Sequence, residues 1–142
     1  MKKSNVAQLL QAKGVVMYAF GSWEKYDVID CPFVKDKANG NMIMFKHDDW
    51  GSYYYMDIRA DMDSYGNFNI DTTPDGWLRS SEVTSDRICH VCLETNWIVW
   101  YSREAMIKWL RDNSHLRAGS VQITARHKLP FITKRKVNQK ND

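Results

Sequence analysis

The chain contains 142 residues, of which 44% are hydrophobic and 13% are aromatic, and it carries a formal net charge of +3. This length suits one domain around one core, and the apolar content excludes a chain without stable structure. The apolar runs are far shorter than the roughly twenty residues of a bilayer span. The sequence therefore predicts no membrane segment.

The N-terminal part is predicted to contain a short helix followed by strands. Ser4 can cap a helix that Gly14 ends. The unbroken apolar run 15–20 is typical of a buried strand, and 25–31 forms a second strand that a proline closes. Asn39-Gly40 is the strongest hairpin signal in the chain, and it predicts that a β-meander begins here.

The remainder is predicted to continue the meander and to end with a strand pair, a helix and two weak strands. The predicted strands are 42–46, 53–59, 68–71, 87–93, 97–101, 121–125 and 131–133, and 72–85 is a loop. Ser102 caps the helix, and Asn113 or Ser114 ends it. This order predicts an α/β domain in which helices flank a central mixed β-sheet.

Basic residues are concentrated towards the C-terminus. From Leu110 onward, eight Lys or Arg stand against two Asp, which gives about +6 here and about −3 before it. A basic end on a slightly acidic body is typical of contact with a phosphate backbone, and the alternative is a solvated tail that keeps the protein soluble. We predict one domain over 1–133 and a basic tail over 134–142. The predicted nucleic-acid contacts are Lys128, Lys134, Arg135 and Lys136.

The cysteines indicate a reducing compartment. Cys31, Cys89 and Cys92 are an odd set with no paired framework, and no signal peptide precedes them, so the sequence predicts a cytoplasmic protein. Cys89-His90-Val91-Cys92 looks like half of a zinc site, but a structural site needs four ligands. In a strand, moreover, Cys89 and Cys92 point to opposite faces. Both are expected to be buried thiols that pack as small apolar groups.

Acidic residues recur at strand positions. Asp27 lies in the second predicted strand, and alternation along 53–59 and beyond puts Asp57, Arg59 and Asp61 on one face. Two carboxylates from adjacent strands can hold Mg²⁺, together with water and phosphate oxygens, and Mn²⁺ is the alternative ion. A cation beside them stabilises charge that develops on a phosphate. The competing interpretation is that all of them are ordinary polar residues on a half-exposed sheet.

The order of these features resembles the PD-(D/E)XK nuclease superfamily. In that family a helix leads into a strand hairpin that carries an Asp and then an acidic-x-Lys tripeptide, followed by further strands and a helix. The corresponding stretches are 57–61, 65–71, 81–91 and 97–104, and the resemblance covers residues 6–113. It implies a restriction-endonuclease-like core and hydrolysis of phosphodiester bonds by a metal-activated water.

The sequence departs from the family pattern where chemistry would occur. Arg59 stands at the family lysine, and Tyr65 stands where some branches have threonine. Arginine stays protonated and cannot act as a neutral amine, although it can pair with a phosphate. A second alignment takes Asp27 with Lys46, which supplies the lysine but has no acidic residue two positions before it.

The resemblance implies a Mg²⁺-dependent nuclease, or a protein derived from one, that acts on nucleic acid and in the first place on DNA. Asp27 and Asp57 would be the metal ligands, and Arg59 and Lys46 would complete the catalytic set. The alternative is an inactive nuclease-like module that binds nucleic acid or a protein partner. Proximity of Lys46 to Asp57 would favour catalysis, whereas Arg59 alone would favour binding. A homodimer is compatible with the sequence, although no pattern indicates one.

Overall fold

The computed structural model describes residues 6–23, 26–31, 42–47, 53–71, 86–113 and 120–138. The elements in chain order are α1 (Val6–Trp23), β1 (Tyr26–Cys31), β2 (Met42–His47), β3 (Tyr53–Arg59), β4 (Phe68–Asp71), β5 (Arg87–Val91), β6 (Trp97–Ser102), α2 (Arg103–Asp112), β7 (Ser120–Ile123) and β8 (Thr133–Lys136). A short 3₁₀ helix, Ala125–His127, lies between β7 and β8. Among these described helices, none is long and apolar enough to span a bilayer.

Most described strands belong to one mixed sheet with the order β1-β2-β3-β5-β6-β8. Its neighbours pair antiparallel, except β3 and β5, which are parallel. β4 and β7 form a separate antiparallel pair. The predicted mixed sheet with accompanying helices is therefore confirmed as an architecture of the α+β type. The predicted meander is confirmed in β1, β2 and β3 but is wrong for β4, which pairs with β7 instead of β3. Its Asn39-Gly40 turn and the loop 72–85 lie outside the described residues.

Side chains alternate between the two faces of the large sheet, and other elements pack on both faces. α1 packs on one face, where Met56 and Ile58 of β3 join a core with Val16 and Phe20 of the helix. The other face packs against α2 and the β4–β7 pair. This second core includes Phe68, Ile70, Ile88, Val99, Tyr101, Met106, Leu110, Val121 and Ile123.

Helix α1 differs from the sequence prediction, which ended the helix at Gly14 and made 15–20 a strand. The structure has one continuous 18-residue helix through both segments. An apolar run does not by itself distinguish a buried strand from a buried helix. Ala12, Val16 and Ala19 recur at helical spacing and are fully buried, and Gly14 lies on the exposed side of the helix. Burial of one helical face thus outweighs the helix-terminating tendency of this glycine.

The C-terminal region also differs from its prediction, which placed a strand at 131–133 and a tail from residue 134. Thr133–Lys136 is an edge strand that pairs antiparallel with β6. Val137 is 1% exposed, and its N–H donates to the Asn96 carbonyl at 2.9 Å. An edge strand is held by backbone hydrogen bonds and tolerates charged side chains, so the run Lys134-Arg135-Lys136 concealed it.

The elements between these two regions agree with prediction. β3 and β4 have the predicted bounds, and the Ser102 hydroxyl caps α2 by accepting from the Ala105 N–H at 3.2 Å. The tight connection between β5 and β6 contains Asn96 in the left-handed region, at φ 60°. Asparagine is one of the few residues besides glycine that adopt this conformation readily.

Gly14→Ala tests whether α1 is continuous. Gly14 is exposed within the helix, and an added Cβ meets no atom within 4 Å. The substitution should stabilise the protein by about 0.5–1 kcal/mol, because alanine has the higher helix propensity. Urea unfolding measures the change. A lower midpoint would instead indicate that the helix ends at Gly14.

Gly66→Ala is the control of opposite sign. Gly66 has φ 86°, and a Cβ there would lie 2.8 Å from Lys134 Nζ. The lysine terminus can move aside, but the backbone conformation still disfavours alanine, so this variant should unfold at lower urea.

Candidate functional site

Polar side chains from β3, β5 and β6 gather on the sheet face that the β4–β7 pair covers. Asp57 and Arg59 lie two positions apart on β3, and Asp61 follows the end of that strand. The parallel pairing sets Arg59 opposite His90 of β5. His90 and Tyr101 are almost fully buried, and Asp57 is 5% exposed. Because buried polar groups need partners, their hydrogen bonds define the chemistry of this face.

Asp57 and Arg59 form an ion pair. Both Nε and Nη2 of Arg59 donate to Asp57 Oδ2, at 3.1 and 3.0 Å. Burial by itself lowers the pKa of Arg59, but the charge of Asp57, with smaller contributions from Tyr101 and Asp61, outweighs burial and raises that pKa. The guanidinium therefore remains charged and keeps a positive charge beside this carboxylate.

Asp61, His90 and Tyr101 form a hydrogen-bonded chain. His90 Nδ1 lies 2.7 Å from Asp61 Oδ1, and His90 Nε2 lies 2.7 Å from the Tyr101 hydroxyl. Burial raises the pKa of Asp61, but the charge of His90 and its hydrogen bond, together with Arg59, lower it below the ordinary 3.8. The Asp61 carboxylate thus accepts from His90 Nδ1.

The tyrosine at the end of this chain is closed to substrates. Burial raises the pKa of Tyr101 well above its usual range, and the charges of Asp61 and Asp57 add to this against the opposing effect of Arg59. An acid, a histidine and a hydroxyl in series is the arrangement that activates nucleophiles. Tyr101, however, is only 2% exposed. The hydrogen-bonded series therefore stabilises the fold and does not present a nucleophile.

The second layer covers this chain with aromatic rings. Phe68 of β4 stacks on His90 with ring centroids 3.9 Å apart and an interplanar angle of 18°. Phe131 meets Tyr101 edge-on at 6.5 Å. The Phe68 ring therefore covers His90, and both nitrogens of the histidine ring are hydrogen-bonded.

The predicted metal ligands are separated along the sheet. Asp27 pairs with Lys46, and Lys46 pairs with Tyr53, so both lie level with a position four residues before Asp57. Four residues span about 13 Å along a strand, and two strand spacings add about 10 Å between Asp27 and Asp57. This register does not bring Asp27 and Asp57 together, and it does not set Lys46 beside Asp57.

The residues near Asp57 are a poor fit for Mg²⁺, which binds oxygen ligands and keeps several waters. Asp57 shares its carboxylate with a guanidinium, and the second predicted carboxylate is four positions away in the register. Within the described ranges, no group of three or more His, Cys, Asp or Glu is arranged to hold a metal ion. We therefore derive no chemical step through a metal at this site.

The cysteines lie in different cores, as their alternation in the strand predicts. Cys89 belongs to the core under α1, and Cys92 belongs to the core under the β4–β7 pair. Burial raises the pKa of Cys89 well above its usual range, and the charges of Asp61 and Asp57 raise it further. This thiol is consequently an apolar packing group and not a thiolate.

The predicted phosphate contacts are exposed but point in different directions. Lys134 and Lys136 alternate with Arg135 on the edge strand β8. Lys134 Nζ lies 5.4 Å from the centroid of the Trp97 ring. Arg135 lies on the opposite face, where its guanidinium is 4.0 Å from the centroid of the Trp23 ring of α1. Lys128 is also exposed, at the end of the 3₁₀ helix with φ 49°.

Sequence reasoning missed His90 and Tyr101 as members of the polar face. His90 lies in a strand whose other residues are mostly apolar, and such a histidine requires buried partners. That signal was present, but the partners follow from the parallel pairing of β3 with β5. The sequence between β3 and β5 contains no pattern that predicts this parallel pairing.

Comparison with known protein families, with curated proteins and with solved structures gives no match to this chain. The likeness to PD-(D/E)XK nucleases therefore rests on residue order and spacing. The function is accordingly inferred from the geometry of the chain itself.

Tyr101→Phe tests the hydrogen-bonded chain. Removing the hydroxyl leaves the buried Nε2 of His90 without this partner, which should cost about 1–3 kcal/mol of unfolding free energy. The control is Tyr65→Phe, because Tyr65 is 83% exposed and exposed substitutions usually change stability by less than about 0.5 kcal/mol. Urea unfolding compares the two variants. Equal midpoints would show that the Tyr101 hydroxyl contributes nothing.

Asp61→Asn tests the hydrogen bond between Asp61 and His90 through the pH dependence of stability. Because the pKa of Asp61 is lower in the folded chain than the ordinary 3.8, its carboxylate stabilises the fold above pH 3.8. That contribution is lost as the pH falls through the folded-state pKa. The unfolding free energy of the native chain should therefore exceed that of the variant at pH 7, by a margin that shrinks below pH 3.8. A constant margin across this range would contradict the pairing.

Proposed function

We propose that this chain is a nuclease-like module that binds nucleic acid at the edge of its sheet and does not hydrolyse it. The observation that carries the proposal is the contrast between the two sets of charges. The buried carboxylate of Asp57 is engaged by Arg59, and the Asp61 carboxylate is engaged by His90, whereas Lys134 and Lys136 are exposed on an edge strand.

A restriction-endonuclease-like core is part of this proposal. A first helix, an antiparallel meander, a strand pair and a second helix follow one another in the order that the resemblance implies. Asp57 and Arg59, which stand at the acidic-x-Lys positions of the resemblance, lie on β3 next to the β1–β2 hairpin. This supports a shared ancestry of the sheet, without its catalytic chemistry.

The surroundings of Asp57 support the inactive form. Arg59 holds a permanent positive charge about as close to this carboxylate as a hydrogen bond allows. That charge repels a divalent cation, and no proton can leave the guanidinium to assist a reaction. In addition, the register keeps Asp27 and Lys46 away from Asp57. The face that would hydrolyse phosphate is thus replaced by an internal ion pair.

The region from residue 120 to residue 138 has the composition of a phosphate-binding surface. It contains five exposed cations and no Asp or Glu: Arg126, Lys128, Lys134, Arg135 and Lys136. Neutralising phosphates with such cations releases condensed counterions, which makes binding strongly dependent on salt. We propose Lys134 and Lys136 as the principal contacts because they share the sheet face that Arg135 does not.

Single Lys→Gln variants of β8 test this interface. The affinity for a labelled DNA duplex is measured by fluorescence anisotropy between 50 and 200 mM salt for Lys134→Gln and Lys136→Gln. Each variant should lose affinity by about threefold or more, and the slope of log affinity against log salt should fall by about one. Arg135→Gln removes the same charge from the same strand, but on the Trp23 face. This control should retain affinity within about twofold.

Three outcomes separate the alternatives. Equal losses in all three variants would contradict a defined contact face, because only total charge would then matter. Absence of binding by the folded chain to both duplex and single-stranded probes at 50 mM salt would refute the nucleic-acid function and favour a protein partner. Cleavage of plasmid or linear DNA with Mg²⁺ or Mn²⁺ but not with EDTA, if abolished by Asp57→Asn, would make the chain a nuclease. We expect no such cleavage.

A further inference from the structure

Two exposed aromatic residues flank one of the proposed phosphate contacts. Trp97 is 36% exposed and Tyr65 is 83% exposed. Lys134 Nζ lies 5.4 Å from the Trp97 ring centroid and 2.8 Å from the position that a Cβ on Gly66 would occupy. Since Gly66 follows Tyr65 directly, the lysine terminus lies beside both Trp97 and the turn that carries Tyr65. Two exposed aromatic residues and a cation thus belong to one region of the surface.

The backbone beneath Tyr65 is fixed. The Asp63 carboxylate accepts hydrogen bonds from the N–H groups of Tyr65 and Asn67, both at 2.9 Å. The Asp63 carbonyl accepts from Gly66, and the Asp63 N–H donates to Asn67. The Asp63 side chain is therefore committed to its own turn, and Tyr65 extends from a well-supported position. A large ring held in water on a rigid turn has no packing role to explain it.

Trp97 is fixed in a comparable way at the start of β6. Its N–H donates to the Thr95 hydroxyl at 3.3 Å, and its carbonyl accepts from Cys92 at 3.0 Å. Lys136 is its direct partner across the antiparallel pair with β8, so this cation lies on the same face. The surface therefore carries two aromatic residues on a fixed backbone together with two cations.

We infer that this surface takes single-stranded nucleic acid, with bases stacked on Tyr65 and Trp97 and phosphates at Lys134 and Lys136. The inference rests on the proposed function and adds the class of ligand. Bases of a duplex are already stacked on one another, whereas unpaired bases offer free faces to aromatic side chains. The cations attract either form, and the rings discriminate between the forms.

Tyr65→Ala measures this preference. Affinities for a 20-nucleotide oligo(dT), an oligo(U) of the same length and a 20-base-pair duplex are compared at one salt concentration. The variant should bind both single strands at least about fivefold more weakly, and its affinity for the duplex should change by less than about twofold. The control is Tyr18→Ala, which removes a tyrosine that is 43% exposed on α1 and should leave all three affinities unchanged. Circular dichroism verifies that both variants are folded.

The results distinguish failure of the inference from failure of the proposed function. Equal native affinity for duplex and single strands, with no effect of Tyr65→Ala, would overturn the inference and leave a phosphate-binding module. Equal losses in Tyr65→Ala and Tyr18→Ala would also overturn it. If the native chain binds none of the three probes, the proposed function fails first. A selective loss for oligo(dT) or oligo(U) alone would retain the inference and define the sugar that the surface prefers.

Discussion

The pairing of Arg59 with Asp57 is the interaction on which the second layer depends. A buried carboxylate without a partner carries a large desolvation cost, and here the guanidinium two positions along the same strand supplies the partner. With the charges matched, the β4–β7 pair can close over β3, and Phe68 can stack on His90. The same pairing balances the negative charge of the Asp57 carboxylate, which a bound metal ion would otherwise balance. Burial of this sheet face and the engagement of Asp57 thus both follow from the spacing of two residues on one strand.

The sequence predicts the elements that carry a local signal. The hydroxyl cap at Ser102 and the alternation in 53–59 suffice to define α2 and β3. It fails where two structures share one pattern: the run 15–20 suits a buried strand as well as a buried helix, and only the packing of α1 on the sheet decides. It fails again at β8, because an edge strand is stabilised by its neighbour's backbone and needs little apolar character.

The sequence likewise predicts only part of the candidate site, namely the contact within one strand. Proximity of Asp57 and Arg59 follows from alternation along one strand, and the structure contains that contact. The predicted proximity of Asp27 and Asp57 is wrong, because it depends on the register of three strands, and periodicity along one strand does not determine that register. The chain from Asp61 through His90 to Tyr101 required the parallel pairing across a long segment. Local periodicity therefore predicts contacts between residues of one strand but not contacts between residues of adjacent strands.

The stacking of Arg135 on Trp23 joins the last described strand to the first helix, and Trp23 in turn stacks on Trp100 of β6. During synthesis, β6 has no neighbour on its outer side until residues 133–136 have emerged, and an unpaired strand edge invites association between chains. β8 therefore completes the sheet late and acts as its protective cap. Chains that end before this strand would expose the unpaired edge of β6. We therefore expect such fragments to aggregate and not to keep part of the function.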